Sequence, residues 1–339
     1  MSLYAGIDLH SNNNFIQIID ANDKTKFSKR LPNQMELILA TLAPFKDELK
    51  SVAVESTFNW YWLVDGLKQD GYTVKLANPA AIKQYEGLKH TDDKFDAFLL
   101  AHMQRLNILP TGYIYPKEER GVRDLLRRRM LYVQQRSTHI LSLQSMISRN
   151  LGVNMPSNEI KKLTENDAEQ VFTDENWRAM ATFSISTIRF LNTIIKGIEK
   201  TVKPKIMLKP EYDMLQTITG IGTILGMTIM LEVGDIERFK KVGNYSSYCR
   251  CVDSNRYSNG KRKGANNSKN GNRYLAWSYV EAANFMKRFC PRANAFYQRK
   301  KAQANGTLAI KALSNKICRA SYFVMRDLVA YDADKLFCR

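Results

Sequence analysis

Two short apolar runs near the start of the chain each end in an acidic residue. The run 3–7 is followed by Asp8, and the run 51–54 is followed by Glu55. Short apolar runs bounded by polar residues are typical of buried strands, so each carboxylate is expected where a strand ends. Ligands of open α/β sheets bind at the carboxyl ends of the strands. The chain is therefore expected to form a sheet with acids at one edge.

A second pair of acids, Asp93 and Asp96, has the spacing of one helix face, because residues three apart are neighbours on a helix. Asp92 is an alternative to Asp93, since residues four apart also share a face. Hard divalent cations such as Mg²⁺ prefer oxygen ligands, and two such ions can hold both sides of a phosphodiester displacement. The alternative is that each acid only caps or solvates the end of an element. The predicted catalytic residues and Mg²⁺ ligands are Asp8, Glu55, Asp93 and Asp96.

Strand and helix patterns alternate over residues 1–110 in the order βββαβαβα. This is the order of a ribonuclease-H-like (RuvC-like) α/β domain, in which a meander precedes parallel units with helices on both faces. The predicted strands are 4–8, 15–19, 25–30, 52–55 and 73–77, and the predicted helices are 35–45, 60–69 and the segment of Asp93 and Asp96.

Residues 117–203 are predicted to form a helical, coiled-coil-like insertion. A long helix over about 119–150 carries apolar residues at seven-residue spacing, and a second helix over about 177–202 carries them at alternating spacings of three and four. Such stripes mark a helical seam. The seam lies either between these two helices of one chain or between two chains.

Residues 204–339 are predicted to form a mainly helical C-terminal domain. It opens with a helix, a turn containing Gly220 and Gly222, and another helix, a pattern like a helix-hairpin-helix. Backbone N–H groups of such a turn suit a DNA phosphate. The alternative is an ordinary tight turn.

A strongly basic segment, residues 256–273, contains six Lys or Arg residues, three glycines and no acid. We expect a loop that lies along phosphates. Within it, Ser258 is a candidate nucleophile if nearby cations or a metal ion activate it; Ser254 is the alternative serine. The predicted nucleic-acid-binding residues are Gly220, Gly222, Arg256, Lys261, Arg262, Lys263, Lys269 and Arg273.

The overall charge agrees with a polyanionic partner. The 339 residues include 51 Lys or Arg against 33 Asp or Glu, for a formal charge of +18, which favours nucleic acid. Five cysteines, clustered late in the chain, argue against a disulfide framework. No secretory signal and no apolar run of membrane-spanning length is found, so we expect a cytoplasmic protein without a membrane partner.

Together these motifs resemble one known family. The chain resembles the DEDD transposases of the insertion sequence 110 family, also called bridge-RNA-guided recombinases. The shared features are the four acids, the Asp93-x-x-Asp96-Ala97 helix, the segment 115–126 leading into the long helix, the Gly-Ile-Gly turn and the late Ser258-Asn-Gly-Lys261 motif. The likeness extends from Tyr4 to about Arg288. Many relatives have a Gly-Leu-x-Pro stretch before a Ser-Gly pair, and this chain departs from that pattern.

The resemblance implies an RNA-guided DNA recombinase in a prokaryotic, nucleoid-associated setting. Such an enzyme binds a structured guide (bridge) RNA whose loops pair with donor and target DNA. By position, Asp8, Glu55, Asp93 and Asp96 match the acids that hold Mg²⁺, and Ser258 matches the serine that forms a covalent phosphoserine link. The resemblance also implies a homo-oligomer: dimers would assemble into a tetramer, and each site would be shared between protomers.

Three other functions remain open from the sequence. A RuvC-type metal-dependent nuclease or junction resolvase would use water and the four acids without a serine. An actin-like nucleotide-binding domain also opens with a motif like Gly6-Ile-Asp8, but it would need further glycine-rich phosphate loops. A non-catalytic scaffold for RNA or DNA would bind nucleic acid unchanged after the acids are neutralised.

Overall fold

The computed structural model describes residues 2–82, 92–205, 209–253, 255–265 and 270–337, with the backbone alone for residues 255–257, 262 and 265. The chain divides into two compact units, 1–117 and 118–339. No helix in these ranges is long and apolar enough to span a membrane.

The first unit contains the predicted succession of strands and helices. Its strands run a few residues longer than the sequence patterns at several ends, because backbone pairing continues into polar positions. The elements are β1 (Leu3–Leu9), β2 (Asn13–Ile19), β3 (Thr25–Pro32), α1 (Met35–Leu42), β4 (Leu49–Glu55), α2 (Tyr61–Gln69), β5 (Val74–Ala77) and α3 (Asp93–Arg105).

These strands form one mixed sheet of five strands in the order β3-β2-β1-β4-β5. The meander β1-β2-β3 is antiparallel, whereas β4 pairs in parallel with both β1 and β5. The sheet is consistent with the predicted ribonuclease-H-like domain. Its central strands β1 and β4 are neighbours, so their carboxyl ends lie side by side.

Helices cover both faces of this sheet. Side chains alternate between the faces along a strand, and on one face Ala5, Ile7 and Val54 pack in a core with apolar residues of α1 and α2. On the other face, Ala53 packs with Leu100 of α3. By this alternation, positions 6, 8 and 55 face the same side of the sheet as Ala53. The acids at the ends of β1 and β4 therefore lie on the side that α3 covers.

Gly6 allows α3 to lie directly against β1. A Cβ atom at Gly6 would be 2.0 Å from the carbonyl oxygen of Ala97 and 2.8 Å from the backbone nitrogen of Ala101. Real Cβ atoms cannot approach backbone atoms so closely, so any other residue would push α3 away from the sheet. The absent side chain therefore determines how near the acids of α3 come to Asp8.

The second unit is mainly helical. Its long helices α4 and α7 begin and end within about two residues of the predicted bounds. The elements are α4 (Lys117–Leu151), α5 (Ser157–Ile160), α6 (Glu165–Val171), α7 (Glu175–Val202), α8 (Pro210–Gln216), α9 (Thr223–Val233), α10 (Val242–Tyr248), β6 (Asn255–Ser258), β7 (Lys261–Ala265), α11 (Arg273–Phe289), α12 (Pro291–Gln303), α13 (Gly306–Asp327) and α14 (Ala333–Phe337).

The apolar stripes of α4 and α7 pack in a core within one chain. Ile140 and Ile147 of α4 share a core with Ile188 of α7 and with α5 and α6. Nearer the other end of the helices, Arg129 Nη2 lies 2.6 Å from Glu199 Oε1, and Arg136 donates a 2.6 Å hydrogen bond to Asn192. Part of both apolar stripes is thus buried within one chain.

The core of the C-terminal part surrounds α9, whose residues from Leu225 to Val233 are all buried. Tyr279 of α11 shares a hydrogen bond with Tyr245 of α10 and lies 2.5 Å from the Ser321 hydroxyl of α13. Hydrogen bonds satisfy these hydroxyls where no water can reach them. The network ties α10, α11 and α13 together beside α9.

The basic segment is more regular than the predicted loop. Residues 255–265 form an antiparallel hairpin of β6 and β7, in which Ser258 pairs with Lys261. Asn259 and Gly260 form the turn with φ angles of 50° and 71°, the backbone that two-residue Asn-Gly hairpin turns adopt. The prediction of an irregular loop was therefore wrong for these residues.

Candidate active site

Asp8 and Glu55 are brought together by the pairing of two parallel strands. Ile7 of β1 is in register with Val54 of β4, so the next residue of each strand emerges at the same sheet edge. Asp8 is buried, with 3% of its surface exposed, and Glu55 is half-buried. The predicted convergence of the first two acids is present in this geometry.

The first turn of α3 brings the other acids to the same edge. Asp92 caps the helix, and its Oδ1 accepts a 2.7 Å hydrogen bond from the backbone N–H of Phe95. Asp93 and Asp96 follow within the first turn. Asp96 Oδ1 is buried and finds no hydrogen-bond partner among the described residues. The structure therefore brings together Asp8, Glu55, Asp93 and Asp96, whereas Asp92 is exposed and occupied by capping.

Burial and the crowding of negative charge raise the pKa values of two acids in this cluster, Glu55 and Asp96. Burial, aided by a hydrogen bond and charge repulsion from Asp8 and by the charge of Asp96, raises the pKa of Glu55 to about 8. Burial, followed by the charges of Asp8 and Asp93, also raises the pKa of Asp96. Like charges that share a site disfavour ionisation of one another. Glu55 therefore holds a proton near neutral pH unless a cation compensates the charge of the cluster.

Two cationic or ligating side chains near the acids were not predicted from the sequence. His10 Nε2 lies 3.1 Å from Asp8 Oδ2 and 3.2 Å from Asp93 Oδ1. Arg30 of β3 forms an ion pair with Asp93. His10 follows Asp8 by two residues, which could have indicated its proximity, but nothing local in the sequence relates Arg30 to Asp93.

The turn that carries His10 is anchored from two sides. The carbonyl oxygen of His10 accepts 3.0 Å hydrogen bonds from the amide groups of Asn33 and Asn59. These bonds orient the backbone between β1 and β2, so the imidazole stays beside Asp8. Neither asparagine was predicted to contribute to the site.

The residues present fit a divalent metal ion. Ligand atoms of Asp8, His10 and Asp93 lie within 4.8 Å of one another, and Asp96 Oδ1 is buried without a hydrogen-bond partner among the described residues. Buried carboxylate oxygens are normally paired or coordinated. An ion here would satisfy these atoms and offset the burial and repulsion that raise the pKa of Glu55.

The predicted serine and its cations lie in the second unit. Ser258 is exposed at the end of β6, directly before the turn of the hairpin, and Lys261 and Lys263 are exposed on β7. The backbones of Arg256 and Arg262 belong to the same hairpin. Ser254 and Lys269 lie outside the described residues.

The two glycines of the predicted phosphate-binding turn differ in their surroundings. Gly220 has a φ of +95°, and a Cβ atom there would lie 2.5 Å from the carbonyl oxygen of Ala282 in α11. Gly222 is the N-cap of α9, and a Cβ atom there would meet nothing within 4 Å. Gly220 therefore serves close packing, and Gly222 alone is open to a ligand. Arg273, at the start of α11, is exposed.

Comparison with known proteins identifies the family. A model of the DEDD transposases of IS110 matches residues 5–150, and a model described as transposase IS116/IS110/IS902 family matches residues 212–298. The chain belongs to the IS110 family of transposases. The resemblance inferred from the motifs is confirmed, and the first matched range contains all four acids.

Two named transposases align with this IS110-family chain over most of their length. The chain is 23% identical over 333 residues to the transposase for insertion sequence element IS1328 of Yersinia enterocolitica, covering 94% of this chain and 95% of that protein. It is 21% identical over 248 residues to a probable family 20 transposase of Pseudomonas aeruginosa, covering 70% and 72%. The chain is thus an enzyme that acts on DNA.

Proposed function

We propose that this IS110-family transposase joins donor and target DNA by serine attack on the DNA backbone, guided by a bridge RNA. The observation that carries the proposal is the cluster of Asp8, Glu55 and Asp96, in which burial and the neighbouring charges raise the pKa of Glu55 to about 8. Such a cluster is suited to a divalent cation beside a scissile phosphate.

Asp8, Glu55, Asp93 and Asp96 are proposed to hold Mg²⁺, with His10 as an additional neighbour. When bound, the ion supplies positive charge that polarises the scissile phosphate and favours ionisation of an attacking hydroxyl. Arg30, paired with Asp93, orients that carboxylate. The buried Asp96 oxygen that finds no donor among the described residues supports this ligand set, and so does the proximity of ligand atoms of Asp8 and Asp93.

Ser258 is proposed as the nucleophile. Its hydroxyl loses a proton, the Oγ–P bond forms, the P–O3′ bond breaks, and the leaving 3′ oxygen takes up a proton. A 3′ hydroxyl of another strand then attacks the phosphoserine and restores the serine. Each step exchanges one phosphoester for another, so no nucleotide hydrolysis is required. The exposed position of Ser258 beside the hairpin turn is compatible with access to a DNA strand.

The nucleic-acid partners are proposed to be donor DNA, target DNA and a guide RNA. Base pairing by the guide RNA would select the DNA sites, as in other RNA-guided systems. The predicted phosphate contacts are Gly222 and the cations of the basic segment. We retain the division into a catalytic domain (1–110), a helical hairpin (117–203) and a C-terminal transposase domain (204–339), acting as dimers that form a tetramer.

The decisive experiment is to trap a covalent protein–DNA adduct. Wild-type protein with guide RNA, DNA and Mg²⁺ is expected to give a slow-migrating adduct on a denaturing gel. Ser258→Ala should abolish the adduct and strand exchange while DNA binding is retained. Asp8→Asn should also abolish both, because the ion is lost.

Ser254→Ala is the matched control for the serine assignment. It is expected to leave the adduct intact, since Ser258 is the proposed nucleophile. If Ser258→Ala instead cleaves DNA at the wild-type rate, the chain acts as a RuvC-type nuclease or resolvase that uses water. Unchanged adduct formation in Asp8→Asn would contradict the metal site.

A further inference from the structure

A cavity of about 440 Å³ lies between α4 and the start of α11 in the second unit. Its lining combines charged, aromatic and aliphatic side chains. From α4 come Arg127, Arg128, Met130 and Leu131, and from α11 come Arg273 and Tyr274. The described residues of the proposed catalytic machinery, namely the four acids and Ser258, do not line it.

One wall of the cavity is held in place by a buried carboxylate. Glu232 of α9, 3% exposed, accepts hydrogen bonds of 2.6 Å and 2.7 Å from Nε and Nη2 of Arg127. Asn272 donates a 2.7 Å hydrogen bond to the same carboxylate, and its Oδ1 accepts from the backbone N–H of Tyr274. Paired, buried groups of this kind give a preorganised wall.

The ring of Tyr274 lies within reach of two guanidinium groups. The Cζ atom of Arg127 is 4.7 Å from the ring centroid, and that of Arg273 is 4.9 Å away. Arg273 Nη2 also donates a 2.9 Å hydrogen bond to the Tyr274 hydroxyl. Contacts between guanidinium groups and an aromatic ring are attractive, so Arg273 and Tyr274 are oriented together.

The charge left in the cavity is positive. Arg127 is neutralised by Glu232, and Asp124 at the rim lies 3.8 Å from Arg127 Nη1 and 3.6 Å from Arg123 Nε. Arg128 and Arg273 form no ion pair with an acid in the part of the chain that the structure describes. Two guanidinium groups thus remain for an anionic ligand beside an aromatic ring.

The remaining lining is suited to a flat apolar ligand. Leu131 keeps 39% of its surface exposed, Met130 lies next to it, and Gln134 adds an amide. A cavity of this size accommodates one nucleotide-sized group. Aromatic and guanidinium surfaces with nearby cations are the features by which proteins bind unpaired nucleotides.

We propose that this cavity binds one unpaired nucleotide of a nucleic-acid strand, with the base against Tyr274 and Leu131 and the phosphate at Arg128 and Arg273. Apart from Arg273, which belongs to the basic segment, its lining residues have no part in the proposed strand exchange. It would recognise a bulged or single-stranded position of the nucleic acid that the transposase handles. The test of this proposal measures nucleic-acid binding only, so its result does not depend on whether Ser258 is the nucleophile.

The test uses the full-length protein with 2-aminopurine probes. Each of three probes carries one 2-aminopurine: a single strand, a duplex with the base bulged, and a fully paired duplex of the same sequence, each made as DNA and as RNA. The double variant Arg128→Gln/Arg273→Gln is expected to bind the unpaired probes about tenfold more weakly and the paired duplex less than about threefold more weakly.

Tyr274→Leu should lose the fluorescence change that stacking of the base produces, and Tyr274→Phe should keep it. The matched control is Arg149→Gln, the same change at an exposed residue of α4, about 30 Å along the helix from Arg128. It is expected to leave all affinities unchanged, and thermal unfolding checks that every variant folds.

The DNA and RNA arms identify the strand that supplies the nucleotide. A selective loss in either arm supports the proposal and assigns the strand. Equal losses for paired and unpaired probes would show general attraction to phosphate, and no loss in either arm would show that the cavity is not a nucleotide site. Both of these results would overturn the proposal.

Discussion

At the scale of single residues, the decisive feature is the concentration of carboxylates at one sheet edge. Asp8 is buried beside Glu55, and α3 adds Asp96 from above the same face. Burial of several like charges is unfavourable without a cation. The site therefore lowers the stability of the fold, and the proposed metal ion would compensate for this cost; charged groups with shifted pKa values are common at functional sites.

The first prediction concerns the pH dependence of the metal-free protein. A carboxyl group whose pKa rises from 4.5 to about 8 on folding binds extra protons in the folded state, so the folded protein loses stability as pH rises through this window. In EDTA, Glu55→Gln should remove this loss and be more stable than wild type at pH 8 by about 1–2 kcal/mol, allowing for partial exposure.

Thermal unfolding of both proteins in EDTA at pH 5 and pH 8 measures this difference. At pH 5 the two proteins are expected to have similar melting temperatures, because Glu55 is protonated in the folded state. A divalent ion at pH 8 should stabilise wild type more than Glu55→Gln. Parallel pH profiles for the two proteins would refute the assignment of the shift to Glu55.

The second prediction concerns His10, whose Nε2 lies about as close to Asp8 as to Asp93. An imidazole ligand favours Mn²⁺ over Mg²⁺. His10→Gln should therefore weaken Mn²⁺ binding by about tenfold and Mg²⁺ binding less. Titration calorimetry with each metal gives the two affinities, and His102→Gln is the control, because His102 pairs with Asp23 at another place. Equal effects on both metals would exclude direct coordination by His10.

At the scale of elements, glycine determines how closely helices approach their neighbours. Gly6 lets α3 pack on β1, and Gly220 lets the turn before α9 pack on α11. Both contacts are with backbone atoms, which cannot rotate away as a flexible side chain can. A glycine that looks like part of a ligand-binding turn in the sequence can therefore serve packing alone.

The third prediction separates packing from binding in the turn before α9. Gly220→Ala would place a Cβ atom 2.5 Å from the Ala282 carbonyl oxygen at a φ of +95°, so it should cost about 3 kcal/mol of stability. Gly222→Ala meets no neighbour within 4 Å. It should lower the melting temperature only slightly, because alanine is a weaker N-cap than glycine, and weaken DNA binding by about threefold to tenfold if its backbone approaches a phosphate.

Thermal unfolding and a DNA-binding titration on both variants measure the two effects. A stable Gly220→Ala protein would show that the turn can shift away from α11. Wild-type DNA affinity in Gly222→Ala would remove this turn from the nucleic-acid interface.

At the scale of the whole molecule, the formal charge of +18 favours contact with a polyanion over a large surface. Exposed cations occur on the hairpin of β6 and β7, at the start of α11 and along α4. Binding of this kind releases counterions, so affinity falls with increasing salt.

The fourth prediction uses this salt dependence to locate phosphate contacts. Replacing Lys261 and Lys263 of β7 by alanine should lower the slope of log affinity against log salt by about two. The control replaces Lys301 and Lys311, which are exposed on α12 and α13, and should leave the slope unchanged. Titrations at several salt concentrations give both slopes, and equal slopes for the two double variants would contradict a hairpin interface.

The order of elements in the first unit could be predicted because it depends on short-range patterns. Strand alternation, helix periodicity and the spacing of Asp93 and Asp96 are properties of neighbouring residues. The Asn259-Gly260 pair was also a local signal, and it could have predicted the hairpin that was taken for a loop. The bounds of α4 and α7 followed from their periodic apolar residues.

Contacts between distant segments could not be predicted in this way. The pairing of Arg30 with Asp93 and of Arg127 with Glu232 joins elements that are far apart in the chain. Which side chains meet there depends on strand register and helix packing, and no local pattern encodes either. The nucleotide-sized cavity beside Tyr274 follows from such contacts, and so does the orientation of His10 toward the acids.

Local chemistry alone thus established the succession of strands and helices and the acids at the strand ends, because hydrogen bonding and hydrophobic periodicity act between near neighbours. Three-dimensional packing decided how close those acids come, since the separation depends on the contact that Gly6 permits between β1 and α3. The raised pKa of Glu55 is likewise a consequence of the three-dimensional packing. Burial and electrostatic repulsion both cause this shift, and only the folded chain removes these carboxyl groups from water and brings them close together.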